Sequence, residues 1–148
     1  MHIIGGGIGG LALALALHRV GVSARVYEQA PEIGAIGAGI GLWPGALQGL
    51  RTLGVAQWVW DLPVCPFRWA ETATPDGRTL TGFDVSEITG GQGYVVRRAD
   101  LHRALHEQLP AGVVVTGKRL VGLRQDPDGV ELSFADGATE RADTVVGA

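Results

Sequence analysis

Cysteine is nearly missing from this sequence: Cys65 is the single thiol in 148 residues. That excludes a disulfide framework and a metal centre built on cysteine. Between Val64 and Pro66, Cys65 is expected to be a small buried apolar residue. Long hydrophobic runs are missing too. The run from Leu11 to Leu17 falls far short of the roughly 20 residues that span a bilayer, and it lacks the flanks of a signal peptide. Neither sign of charge dominates, with 12 Lys and Arg against 15 Asp and Glu. A nucleic-acid-binding surface is therefore not expected. These absences point to a soluble, cytoplasmic protein with no membrane or nucleic-acid partner. The length is enough for one domain with a real core.

Familiar catalytic signatures are also sparse. No serine stands in a G-x-S-x-G elbow, so hydrolase chemistry has no support. His102 and His106 lie four apart on a predicted helix, but Arg103 follows His102 and no third ligand is evident. No metal site is expected, and both histidines are read as solvated.

Glycine, by contrast, is abundant, with 24 residues gathered at turns and loops in no fixed period. The stretch "GGGIGGLALALALHRVG", Gly5 to Gly21, poses the main question, because its leucines recur every second residue as in a half-buried strand. The intervening residues are alanines, however, so there is no apolar/polar alternation. Alanine and leucine favour helix, and no β-branched residue interrupts the run before Val20. His18 and Arg19 followed by Gly21 make a helix C-terminus. The spacing predicts a helix over 8–20, apolar all round and so buried against a sheet.

His2 to Ile4 reads as a first strand and "SARVYE", Ser23 to Glu28, as a second, giving the strand–helix–strand opening of a parallel α/β sheet. "QAPEIGAIGAGIGL" reads as a glycine-rich loop outside the core. Pro44 opens a helix that ends at Gly54. After Trp60, three Asp-Gly pairs, Asp76-Gly77, Asp128-Gly129 and Asp136-Gly137, each predict a hairpin. "RADLHRALHEQL" predicts a helix with Leu101, Leu105 and Leu109 on one face, and "ADTVVGA" a buried strand. The expected fold is α/β: a Rossmann-like parallel sheet interrupted by antiparallel β-hairpins.

Gly5, Gly7 and Gly10 satisfy G-x-G-x-x-G between a strand and a helix, with Ile8 and Gly9 inside the motif. The first glycine permits a tight turn, the second lets the backbone approach a pyrophosphate, and the third packs helix closely on strand. The helix N-terminus adds amide donors and a positive dipole. Glu28 ends the second strand, where an acid accepts hydrogen bonds from ribose hydroxyls; the alternative is an ordinary solvated glutamate. Gln29 adjoins it. Strand, turn, helix, strand and acid in this order predict dinucleotide binding, without separating NAD from FAD.

The segments "IIGGGIGGLALALAL", "VYEQAPEIGAIGAGIGLWPGALQGLRTLG", "VVRRADLHRAL" and "DTVVGA" resemble, in this order, the N-terminal part of FAD-dependent monooxygenases of the aromatic-hydroxylase type. The resemblance implies an FAD-binding domain over 1–148, with 62–96 adding strands on the substrate side. It implies that Ala38-Gly39-Ile40 runs beside the flavin ribityl chain, that Arg98 contacts the cofactor, and that backbone near Leu120 meets the adenine. Arg98 has its own physical case, since a guanidinium suits pyrophosphate or carbonyl oxygens. Arg97 and Arg103 are then surface residues. The family commonly has Pro-Asn-Ala where this chain has Pro44-Gly45-Ala46, leaving any role of that asparagine unfilled. Trp43, Trp58 and Trp60 are expected mainly in the core, and Trp69 is the best candidate to line a substrate pocket.

In such an enzyme NADH or NADPH reduces FAD, the reduced flavin reacts with oxygen, and one oxygen atom enters a small organic, often aromatic, substrate. The flavin performs the difficult step, so no catalytic acid, base or nucleophile is assigned. With a single G-x-G-x-x-G, the nicotinamide binds transiently. Rival readings are an NAD-dependent dehydrogenase and a non-catalytic flavin- or nucleotide-binding module; the hairpins after Trp60 count against the first. The chain is expected to be a fragment of a longer enzyme. Alone it should bind FAD weakly, oxidise NADPH slowly to yield hydrogen peroxide, and fail to hydroxylate.

Overall fold

The alternating leucines lie on a helix. A computed structural model describes residues 1–34 and 37–148, and the side chain of Trp58 lies outside the description. The chain opens with β1 (His2–Ile4), α1 (Ile8–Arg19) and β2 (Arg25–Tyr27). The helix stops where the sequence predicts, with Gly21 at φ +75° donating its N–H to the His18 carbonyl. Gly10, Leu11, Ala14 and Leu15 form its buried face, while Leu13 and Leu17 pack beside Ile3 and Val26. All four leucines are therefore used. The helix is buried along one side rather than all round.

Next come β3 (Gly39–Leu42), α2 (Pro44–Thr52), α3 (Ala56–Trp60) and β4 (Val64–Pro66). They are followed by β5 (Trp69–Ala73), β6 (Thr79–Asp84), α4 (Val85–Thr89) and β7 (Tyr94–Arg97). The chain then forms α5 (Arg98–Glu107), β8 (Val114–Val115), β9 (Leu120–Asp126), β10 (Gly129–Phe134), β11 (Thr139–Ala142) and β12 (Val145–Gly147). These elements form two units, one of Met1–Ala35 with His102–Ala148 and the other of Ile36–Leu101.

The first unit is layered. Its sheet runs β12-β1-β2-β8 with every pair parallel. Strand side chains alternate between faces, so neighbours in sequence serve different cores. Ile3, Val26 and Val114 pack on the α1 side, while Ile4, Tyr27, Val115 and Val145 pack on the other. That second face is covered by the antiparallel meander β11-β10-β9 through Val130, Leu132 and Phe134. A sheet covered on both faces needs consecutive apolar residues, which explains the short runs "HII" and "VV". The second strand is shorter than its sequence suggests, and "ADTVVGA" supplies a half-buried strand at the margin of the described sheet.

In the second unit, β3-β7-β4 is antiparallel, and β5 and β6 form a separate hairpin about Asp76-Gly77. The other two Asp-Gly pairs also turn hairpins, between β9 and β10 and between β10 and β11. Two expectations fail here. Gly39–Leu42 is a strand rather than part of a loop, because its glycines leave room for neighbouring side chains: a Cβ on Gly39 would stand 2.8 Å from Val95 Cγ1. Cys65 is exposed, since β4 is a margin strand of its sheet. Among the described residues, no helix is long and apolar enough to cross a membrane.

Leu132, fully buried beneath Tyr27 and Phe134, tests the contact of meander and parallel sheet. Leu132→Ala should lower unfolding free energy by about 2–5 kcal/mol, measured by chemical denaturation. A loss under about 1 kcal/mol would show that this core contributes little.

Candidate dinucleotide-binding site

The three motif glycines of the first turn meet different surroundings. Gly5 has φ +114°, and a Cβ there would meet the Ala148 carbonyl oxygen at 2.0 Å. A Cβ on Gly10 would lie 2.0 Å from the Gly5 carbonyl oxygen, so the helix seats against the turn only without a side chain. Gly7 is different: nothing lies within 4 Å of the place its Cβ would occupy. Extended backbone at Gly7 leads into α1, and Leu11 N–H makes the first helical bond to its carbonyl at 3.0 Å. The amides of Ile8, Gly9 and Gly10 belong to the first turn, where helical N–H groups have no partner within the helix.

Glu28 follows β2 and is half-buried. Its carboxylate accepts the Gly6 N–H and the Ala30 N–H, both at 2.7 Å. It is therefore built into the turn rather than freely solvated. Charge-assisted bonds of this kind are roughly twice as strong as neutral ones. The approach is so close that a Cβ on Gly6 would stand 2.9 Å from the Glu28 Cβ. Gly6, outside the three-glycine motif, is thus demanded by Glu28.

A cleft of about 340 Å³ opens beside Gly5, lined by Tyr27, Glu28, Gln29, Lys118 and Leu120 among others. Gln29 is exposed and Leu120 half-buried at the start of β9. The Lys118 N–H donates to the Glu28 carbonyl at 2.8 Å, and its ammonium pairs with Asp136 and lies over the Phe134 ring. The bond from Lys118 holds the Asp136 carboxyl below the ordinary carboxylate range. Sequence reasoning missed Lys118, whose partner is 18 residues away with no local pattern to mark it.

His102 was also misjudged. It is buried rather than solvated, and its Nε2 lies 2.5 Å from the Gly6 carbonyl oxygen. His106 is half-buried, and no cluster able to hold a metal occurs among the described residues.

The remaining candidates lie in the second unit. Arg98 is half-buried, its N–H donates to the Ala38 carbonyl at 3.0 Å, and a Cβ on Gly37 would stand 3.2 Å from its Cδ. Arg98 is thereby held to the segment leading into Gly39 and Ile40. Arg97 instead grips the buried carboxylate of Asp100 with two bonds, at 2.7 and 3.2 Å. Trp60 is half-buried against Tyr94, but Trp43, edge-on to Phe67, is exposed rather than in the core, as is Trp69, which donates to Glu71.

The sequence matches the profile of the FAD binding domain over residues 1–148. The chain belongs to this family. It is 42% identical to a 3-amino-4-hydroxybenzoate 2-monooxygenase of Streptomyces platensis, a match covering 99% of this chain and 38% of that protein. Identity to the 6-hydroxynicotinate 3-monooxygenase of Bordetella bronchiseptica is 35%, covering 99% and 39%. Among solved structures, Klebsiella pneumoniae HpxO complexed with FAD and uric acid superimposes with a TM-score of 0.77 at 32% identity, covering 97% and 37%. This FAD-binding chain thus spans about two fifths of the curated relatives' length.

Gly7 and Gly10 separate by stability without any ligand. Gly10→Ala should destabilise the protein by about 3 kcal/mol or more, because backbone must move, while Gly7→Ala should cost about 1 kcal/mol or less. Denaturant titrations of the two variants measure the difference; equal losses would contradict this division of roles.

Proposed function

We propose that this chain is the cofactor-binding part of an FAD-dependent monooxygenase that takes electrons from NADH or NADPH and hydroxylates a small aromatic or heteroaromatic substrate with dioxygen. The observation that carries the reading is the open approach to Gly7 at the head of α1, flanked by an anchored Glu28. The relatives named above as monooxygenases support the activity.

The residues suit a dinucleotide. With nothing facing the Gly7 Cβ position, a pyrophosphate has room to approach the backbone there. The amides of Ile8, Gly9 and Gly10 and the dipole of α1 attract its negative charge. Gly5 makes the turn that aims them. Each Glu28 oxygen has one lone pair engaged by backbone, leaving acceptor capacity for ribose hydroxyls. Gln29 and Leu120 line the cleft beside Glu28, and the adenosine is assigned to them. In the second unit, Arg98, Gly39 and Ile40 are assigned to the flavin itself on the family resemblance.

When bound, FAD supplies the electron transfer and the oxygen chemistry. The share of the polypeptide is to bind, orient and exclude water. The 62–96 segment is assigned to the substrate side, where the exposed Trp69 offers an aromatic face. A single glycine motif leaves the nicotinamide as a transient co-substrate.

The purified protein should carry a flavin spectrum or take up FAD when titrated, and NADH or NADPH should then bleach it. No flavin uptake would refute the reading. Glu28→Ala should weaken FAD binding by about 1.5–3 kcal/mol, and Gly7→Ala should weaken it while the protein stays folded. Fluorescence titration of the apo-protein with FAD measures both. Unchanged affinity in folded variants would move the pyrophosphate and ribose elsewhere.

A further inference from the structure

The proposed function makes no use of His102, which belongs to the same unit as the glycine turn. The residue is 8% exposed, and its Nε2 lies 2.5 Å from the Gly6 carbonyl oxygen, 96 residues away in sequence. A carbonyl only accepts, so Nε2 must carry the proton. On its other side, Gly6 donates its N–H to Glu28 at 2.7 Å. The two peptide planes that meet at Gly6 are therefore each held by a hydrogen bond from outside the turn.

Geometry gives this arrangement a consequence one residue on. A trans peptide is planar, with its C=O and N–H pointing in opposite directions. Fixing the Gly6 carbonyl toward His102 thus aims the Gly7 N–H away from it. Glycines flank this peptide on both sides, and glycine alone has free access to the dihedrals that a peptide flip requires. The peptide is therefore unusually easy to invert. Inversion would present a carbonyl oxygen, in place of an N–H, to whatever ligand approaches Gly7.

We propose that His102 is a positioning residue that locks the Gly6–Gly7 peptide with its N–H directed at the FAD pyrophosphate. The proposal rests on the assignment of the pyrophosphate to the Gly7 approach. His102 touches no cofactor atom in this account; it acts through the backbone of the turn.

Three variants separate positioning from simple packing. His102→Leu keeps bulk and removes the donor. His102→Gln places an amide N–H near the position of Nε2, and His102→Asn is too short to do so. Apo-protein titrated with FAD should lose about tenfold or more in affinity with His102→Leu and His102→Asn, and regain most of it with His102→Gln. Melting temperatures of the ligand-free variants should not follow that order.

Equal FAD affinity in wild type and His102→Leu would overturn the proposal and leave the pyrophosphate assignment standing. So would affinities that merely track melting temperature without rescue by glutamine. Failure of the wild type to bind FAD would overturn both. Should the variants not fold, nitrogen NMR of the wild-type histidine ring decides: protonated Nε2 is expected, and a bare Nε2 would overturn the lock.

Discussion

The carboxylate of Glu28 holds the candidate site together. It stands at the end of β2, takes the Gly6 N–H from the glycine turn, and takes the Ala30 N–H from its own onward loop. Its own backbone carbonyl accepts from Lys118, and its N–H donates to Val115. One residue therefore ties β2, the turn before α1, β8 and the segment into β9 into a single frame. A carboxylate engaged by two amides still has lone pairs for a ligand, so the proposed ribose contact does not require the anchor to be broken. Remove the carboxylate, and the turn loses one of its anchors before any cofactor arrives.

That frame stands on the layered packing below it. The parallel strands carry α1 on one face and the β9–β11 meander on the other, so the strand ends that position Gly5 and Glu28 are held from both sides. The meander also delivers Leu120 to the cleft and, through Asp136, holds the Lys118 ammonium over Phe134. A parallel sheet offers its carboxyl ends for ligand binding, and here the turn, the acid and the cleft all lie at those ends.

What the sequence discloses divides by the range of the forces involved. The glycine turn, α1 and the three Asp-Gly hairpins are local matters of backbone sterics, and their residues announce them. Glu28 could be located because it ends a strand, yet its bonds to Gly6 and Ala30 could not. Gly6 went unnoticed, and His102 was read as solvated, because their partners lie across the unit, at separations of 22 and 96 residues. Strand β3 hid behind its own glycines, which look like loop until Val95 is seen crossing above Gly39. Cys65 looked buried by composition, whereas a margin strand leaves it exposed.

The central claim is that the backbone at Gly7, beside an anchored Glu28, receives the pyrophosphate of FAD. A crystal structure of the protein grown with FAD tests it most directly. The account predicts phosphate oxygens within hydrogen-bonding distance of the Gly7 amide or the first amides of α1, and a ribose hydroxyl on Glu28. Phosphates bound away from that turn, with Glu28 touching only Gly6 and Ala30, would contradict it.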